Sequence, residues 1–178
     1  MSDKDKNIRT AIYIAVLAVL TGLDQLSKYF IVRDMTLNEK RVVIDKFFSL
    51  HYVQNTGSAF SFLSDKDWGI YVLSGISLVF GILTMIAMIR AARNGYNRFG
   101  ISMLLITAGA FGNLVDRFRL HYVVDFLRFD FGSYTFPIFN VADTFAVVGT
   151  ALIILFVIIA SREFDAFWAL LFGKKDKN

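Results

Sequence analysis

Apolar residues in this chain gather into four long runs, separated by stretches that are charged or that alternate aromatic with polar residues. A hydrocarbon core about 30 Å thick needs roughly 20 residues of helix at 1.5 Å per residue. The pattern predicts membrane-spanning helices over residues 11–32, 68–89, 99–120 and 137–160. Lys4, Lys6 and Arg9 before the first run give it the look of a signal peptide, but no small-x-small cleavage site follows. The strictly apolar part, Ala11 to Leu20, is too short to span, so the helix has to take in Asp24 and Lys28, which stand four apart on one face. The second run carries no charge, and its Gly and Ser residues suit close helix packing. In the third, Gly109, Asn113, Asp116 and Arg117 share a face at i, i+4, i+7 and i+8. Pro137 suits the first turn of the fourth, where its missing N–H is not needed, and that start puts Asp143 about two turns inside the helix.

Between the runs, residues 33–67 mix charges of both signs with Val42-Val-Ile and Phe47 to Gln54, rich in β-branched and aromatic residues. They predict two or three short strands, closed by a turn and re-entry segment over Asn55 to Phe60. Residues 121–136 alternate aromatic and polar like a short interfacial hairpin. The expected fold is a membrane all-α bundle of four transmembrane helices with a small β segment, in one integral membrane domain over 1–178.

Composition agrees with that pattern. Of 178 residues, 56% are hydrophobic and 16% aromatic, too apolar for a soluble domain, and one Pro with 12 Gly leaves no room for a Pro/Gly-rich linker. The absence of Cys excludes a disulfide framework, a thiolate nucleophile and a Cys-ligated metal. A net charge of +4 fits the basic loops of a membrane protein better than nucleic-acid binding. Basic residues near the N-terminus, in the Arg90 to Arg98 loop and at Arg162, Lys174, Lys175 and Lys177 fall on one side of a four-span arrangement, which the positive-inside rule makes cytoplasmic. Asp24, Asn55, Asn113, Asp116, Asp125, Asn140 and Asp143 then collect near the outer surface.

An acid inside a spanning helix costs at least ~2.5 kcal/mol on insertion scales, so it points to a functional site with a partner. Asp143 has Asn140 three residues before it. Together they could simply cap and solvate a helix start, but polar residues from other spans converge at the same depth. Asp125 sits among Val123, Val124, Phe126 and Leu127, where burial would raise its pKa; as a hairpin acid it can instead face solvent or pair with Arg128. Asp116 competes as the partner of Asp143, although Arg117 and Arg119 offer it cations for a structural salt bridge. Local sequence leaves both partners open.

His51 and His121 lack zinc-site spacing, adjacent Ser27 and Lys28 point about 100° apart, and no Gly-rich phosphate loop is present, so neither metal nor cofactor is expected. Two carboxyl groups about 3 Å apart share a proton. One serves as base towards water and the other donates to a scissile carbonyl, which is aspartyl-protease chemistry. The competing reading is a small proton-coupled carrier with Asp24, Asp116 and Asp143 as a relay, which would spread acids across bilayer depth rather than gather them on one side.

Five blocks, in order, carry a resemblance: Asp24-Gln-Leu-Ser-Lys28, Asn55-Thr-Gly57-Ser-Ala-Phe60, Gly109-Ala-Phe-Gly-Asn113-Leu-Val-Asp116-Arg117, Val124-Asp125-Phe126 and Phe139-Asn140-Val-Ala142-Asp143. Over residues 8–165 the chain resembles the prolipoprotein signal peptidases (signal peptidase II). One departure is Tyr134, where some members have Trp. The resemblance implies an aspartic endopeptidase of the bacterial cytoplasmic membrane, working as a monomer without metal or cofactor. Its implied substrate is a diacylglyceryl-modified prolipoprotein, cut on the N-terminal side of the lipidated Cys, and its implied inhibitors are of the globomycin type. Asp125 and Asp143 are the implied catalytic dyad. Asn55, Asn113, Arg117 and Asn140 are implied to bind substrate or support the dyad, and Asp24 and Lys28 to build the site, with Gly57 and Asp116 in the supporting set. The segment from 33 to 60 corresponds to the family's extracytoplasmic β-cradle.

Overall fold

The computed structural model describes residues 1–57 and 68–173. The Ser58 to Phe60 end of the expected turn and the tail lysines from Lys174 onward lie outside them. Four helices are long and apolar enough to cross a membrane: α1 (Asp3–Asp34), α2 (Gly69–Asn94), α3 (Asn97–Leu120) and α4 (Val141–Ile159). A fifth, α5 (Ser161–Phe172), follows α4 after the single residue Ala160. The strands are β1 (Lys40–Ile44), β2 (Phe48–Asn55), β3 (Val123–Phe131) and β4 (Tyr134–Thr135).

α3 is the central helix. Its apolar stretch is 61% buried, against 33% in α2 and 11% in α1 and α4, whose outer faces present side chains such as Val79, Leu83, Val147 and Ile158 to lipid. Small residues bring α3 and α4 together. A Cβ on Gly109 would lie 2.5 Å from the Ala142 carbonyl oxygen, and one on Gly149 would lie 2.8 Å from the Ser102 carbonyl oxygen. Such close approach is how helices associate where lipid removes the hydrophobic drive between them. Gly112 has the same role beside Ala142 and the Asp24 carboxylate.

The strands form one antiparallel sheet in the order β1-β2-β3-β4, so the segment before α2 pairs with the hairpin after α3. In that pairing Val53 lies opposite Asp125 and Asn55 opposite Val123. Val124 and Phe126 pack with Tyr52, Ile31 and Met35 against the end of α1.

Four sequence expectations change. The first span begins at Asp3, where Ser2 and Asp5 form a capping box, and the second runs on to Asn94 before Gly95 turns the chain at φ +86°. The fourth starts at Val141, not at Pro137, because residues 136–139 are held extended along β3: Phe136 N–H donates to the Phe129 carbonyl and Phe139 N–H to that of Leu127. Asp143 is therefore in the first turn of α4, not two turns inside it. The region after Ala160, expected to be tail, holds α5 instead.

Gly109→Ala should lower stability in detergent by about 1–3 kcal/mol, since the Ala142 backbone has no room to yield. Gly75→Ala, with nothing within 4 Å of the new Cβ, should be neutral or slightly stabilising. Thermal unfolding of the two purified variants in one detergent checks the contrast.

Candidate functional site

The site forms where the end of α1, the end of α3, the start of α4 and strands β2 and β3 meet. At its base lies Lys28, 3% exposed, whose Nζ is 2.9 Å from both Asp24 Oδ2 and Asp116 Oδ2. Asp116 thus takes its cation from α1 rather than from Arg117 or Arg119, because Arg117 turns to Ser77 on α2 and Arg119 to Gln25. The remaining carboxylate oxygens are also engaged. Asp24 Oδ1 accepts from the Ala142 N–H at 2.8 Å, and Asp116 accepts from the Val124 N–H at 3.1 Å and from Gln25 Nε2 at 2.9 Å. Two buried acids therefore tie α1 and α3 to the backbones of α4 and β3.

Lys28 also donates to Asn113 Oδ1 at 3.1 Å. An ammonium group only donates, so the Asn113 oxygen must face it and the Asn113 amide nitrogen must face away. That nitrogen meets Asp143 Oδ1 at 2.7 Å. The same logic orients two further asparagines. Asn140 caps α4, its Oδ1 accepting from the Asp143 N–H at 3.0 Å, which leaves Nδ2 to donate to Asp125 Oδ1 at 2.7 Å and to Asn113 Oδ1 at 3.0 Å. Asn55 Oδ1 accepts from the Gly57 N–H at 3.0 Å, which leaves its Nδ2 to meet Asp125 Oδ2 at 2.9 Å. Three asparagine oxygens are held by obligate donors, and three amide nitrogens face two carboxylates.

Asp125, on β3, is 4% exposed. It does not pair with Arg128, which forks onto Asp130 instead. Burial first, and then the negative charge of Asp143, push the Asp125 carboxyl up to about 7, against the opposing hydrogen bonds from Asn55 and Asn140. Asp143 also accepts from the Asn140 N–H at 3.1 Å, completing a capping box, and sits at the positive end of α4. Capping and site-building are thus one arrangement. Among the described residues the two carboxylates are bridged by Asn140 and Asn113 rather than hydrogen-bonded to each other.

The structure brings Asp24, Lys28, Asn55, Gly57, Asn113, Asp116, Asp125, Asn140 and Asp143 into this one network. Arg117 stands at its margin, close enough to feel Asp143, Asp125 and Asp116, with Nη1 on Ser77 and a buried Nε that has no partner among the described residues. Beside it a cavity of about 270 Å³ opens between Ile70, Tyr71, Ser74 and His121. Sequence reasoning passed over Gln25, whose amide reaches Asp24, Asp116 and the Gly112 carbonyl; a polar side chain inside a span beside Asp24 was its only signal. Chemically the arrangement offers one carboxyl that holds a proton near neutrality and a second that is set as an acceptor.

Comparison with known proteins points the same way. The model of a family described as signal peptidase (SPase) II matches residues 16–159. The lipoprotein signal peptidase of Enterococcus faecalis is 38% identical over 154 residues, covering 85% of this chain and 90% of that protein. The lipoprotein signal peptidase of Clostridium tetani is 39% identical over 148 residues, covering 83% and 91%. Two solved structures of bacterial membrane enzymes superpose with TM-scores of 0.70 and 0.69 at 28% and 29% identity, and the first covers 94% of both chains.

Removing the shared cation tests the network. Lys28→Met leaves two buried carboxylates uncompensated and should cost about 3–5 kcal/mol of stability, read as a large fall in unfolding temperature in detergent.

Proposed function

The chain belongs to the signal peptidase II family, and from that premise we infer that it is an aspartic endopeptidase cutting diacylglyceryl-modified bacterial prolipoproteins on the N-terminal side of the lipidated Cys. The observation that carries the mechanism is the pairing of Asp125 and Asp143 across Asn140, with Asp125 buried and its carboxyl pushed up to about 7. In this reading Asp125 holds the shared proton and donates to the scissile carbonyl oxygen, while Asp143 takes a proton from the attacking water. The proton then passes to the leaving amine as the tetrahedral intermediate collapses. Asn55, Asn113 and Asn140 hold the two acids in register, and Arg117 is placed to bind substrate backbone.

Membrane placement follows from the same reading. The site lies at one end of the four-helix bundle, and the basic N-terminal and Arg90 to Arg98 segments lie at the other. With the basic end cytoplasmic, the sheet and the dyad sit at the outer face of the bacterial cytoplasmic membrane, the depth at which a lipid-anchored substrate presents its scissile bond. A globomycin-type cyclic peptide would block the enzyme by occupying the dyad. A proton carrier is not supported, since Asp24 and Asp116 are committed to Lys28 and to backbone N–H groups at the same end of the bundle.

Asp125→Asn and Asp143→Asn should each abolish cleavage of a diacylglyceryl-modified precursor in detergent while the protein still inserts and folds, and a chelator should leave the parent enzyme active. Cleavage retained by either variant sinks the dyad; an inactive Asp116→Asn beside an active Asp125→Asn moves the pair. The pH profile supplies a second test. Asp125 is protonated below about 7 and loses its proton above, so the cleavage rate should fall as pH rises through that value. Asn55→Ala, which removes a hydrogen bond favouring the ionised form, should move this alkaline limb to higher pH.

A further inference from the structure

Helix α5 has one face docked and one face bare. Its docked face is Phe167, 2% exposed and stacked on Phe99 with ring centroids 5.1 Å apart. Arg98 pairs with Glu163 at 2.9 Å, and Arg90 Nη1 donates to the Leu171 carbonyl at 3.0 Å, capping the helix end with a cation from α2. These contacts fix which way α5 faces. The bare face carries Trp168, 52% exposed, with the Phe172 ring 4.4 Å away and 68% exposed. Water would be a poor neighbour for that pair.

Two observations identify what covers it. First, only Ala160 separates α5 from α4, and the last turn of α4 exposes Ile158 and Ile159, so the bare aromatic face continues the lipid-facing surface of a membrane span. Second, this end of the molecule is basic. Arg9 bonds Asn97 and Arg93 bonds Asn7, so the start of α1 lies beside the α2 to α3 turn, next to α5. Segments 3–9, 90–98 and 161–172 together hold seven Lys and Arg against four Asp and Glu. An amphipathic helix with Trp and Phe on its outer face, set in a basic rim at the end of a span, matches the boundary between headgroups and acyl chains.

We propose that α5 is an interfacial helix whose Trp168–Phe172 face is seated in the leaflet on the side of the chain's termini, among anionic phospholipid headgroups. Its consequence is a fixed depth for α4. That helix is 19 residues long, about 28 Å at 1.5 Å per residue, close to the hydrocarbon thickness. Anchoring its far end at one interface holds Asp143, in its first turn, at the other. The proposal rests on α4 spanning the membrane and not on the peptidase mechanism.

The chain has two tryptophans: Trp68 at the N-terminal end of α2, and Trp168 on α5, which packs near the other end of α2. Trp68→Phe therefore leaves Trp168 as sole reporter, and Trp168→Phe gives the control. The single-tryptophan protein is reconstituted into phosphatidylcholine vesicles containing phosphatidylglycerol, and its fluorescence is quenched with lipids brominated either high on the acyl chain or deep. Trp168 should be quenched more by the shallow bromines. Brominated phosphatidylglycerol should act about fivefold more effectively than brominated phosphatidylcholine, the preference one basic side chain gives at an anionic surface. Quenching by aqueous iodide without quenching by either lipid would place α5 in water and overturn the proposal. Emission that changes as protein is diluted in lipid would assign the face to a second copy of the chain, and equal quenching by the two headgroups would remove the anionic partner.

Discussion

One ammonium group, that of Lys28, is the point on which the site turns. Two carboxylates and an amide oxygen surround it within about the distance of a hydrogen bond, from buried Asp24 and Asp116 and half-buried Asn113 on α1 and α3. One positive charge does not neutralise two negative ones. The surplus is met by dipoles, the backbone N–H groups of Ala142 and Val124 and the amide of Gln25. Each of those groups belongs to a different part of the fold, so compensating the charge and assembling the helices are the same event. A buried ion pair that merely held two helices together would be a weak contributor, since desolvation offsets much of the attraction. Here its value is positional.

That position passes along the asparagines. Each amide has one end that accepts and one that donates, so fixing one end fixes the other. Lys28 fixes Asn113, the first turn of α4 fixes Asn140, and Gly57 fixes Asn55. The result is a set of donors directed at Asp125 and Asp143 that cannot flip without facing donor against donor. Asp125 feels both sides of this arrangement. Burial and the neighbouring charge raise its proton affinity, and the two amides hold it back from rising further. A group balanced in this way near neutrality is what acid–base chemistry at ordinary pH requires.

The four spans were legible because lipid leaves a helix no alternative to an apolar run, and the acids in or beside those spans stand out because ionisable groups there are conspicuous, whereas Asn55 and Asp125, on strands, are given their roles only by the family resemblance. Partners were harder. Local sequence offers Asp116 the arginines beside it, yet Arg117 and Arg119 point to Ser77 and Gln25, and its cation comes from α1. Local spacing says which residues share a helix face but not which helix that face meets. The start of α4 was missed for a related reason. Pro137 is an acceptable first helical residue, but residues 136–139 have a better use, pairing with β3 on a strand whose own partners were read as a separate element. α5 was missed because twelve residues are too few to span, and a search for spans passes over short helices that lie along the surface.

Two readings of Asp143, as helix cap and as site residue, turn out not to be alternatives. An N-cap needs an acceptor at the helix start and gains from an acid in the first turn, while a hydrolytic acid in a membrane needs donors to hold it and access to water. The end of a spanning helix meets both needs. A carboxylate paired with a buried ammonium, as Asp24 is with Lys28, serves to join helices. Placing Asp143 three residues after Asn140 keeps it at the helix end, in the first turn, where the peptide dipoles favour a negative charge. On the proposed reading, the acids that pair with Lys28 are the structural ones and the two whose oxygens accept from asparagine amides are the working ones.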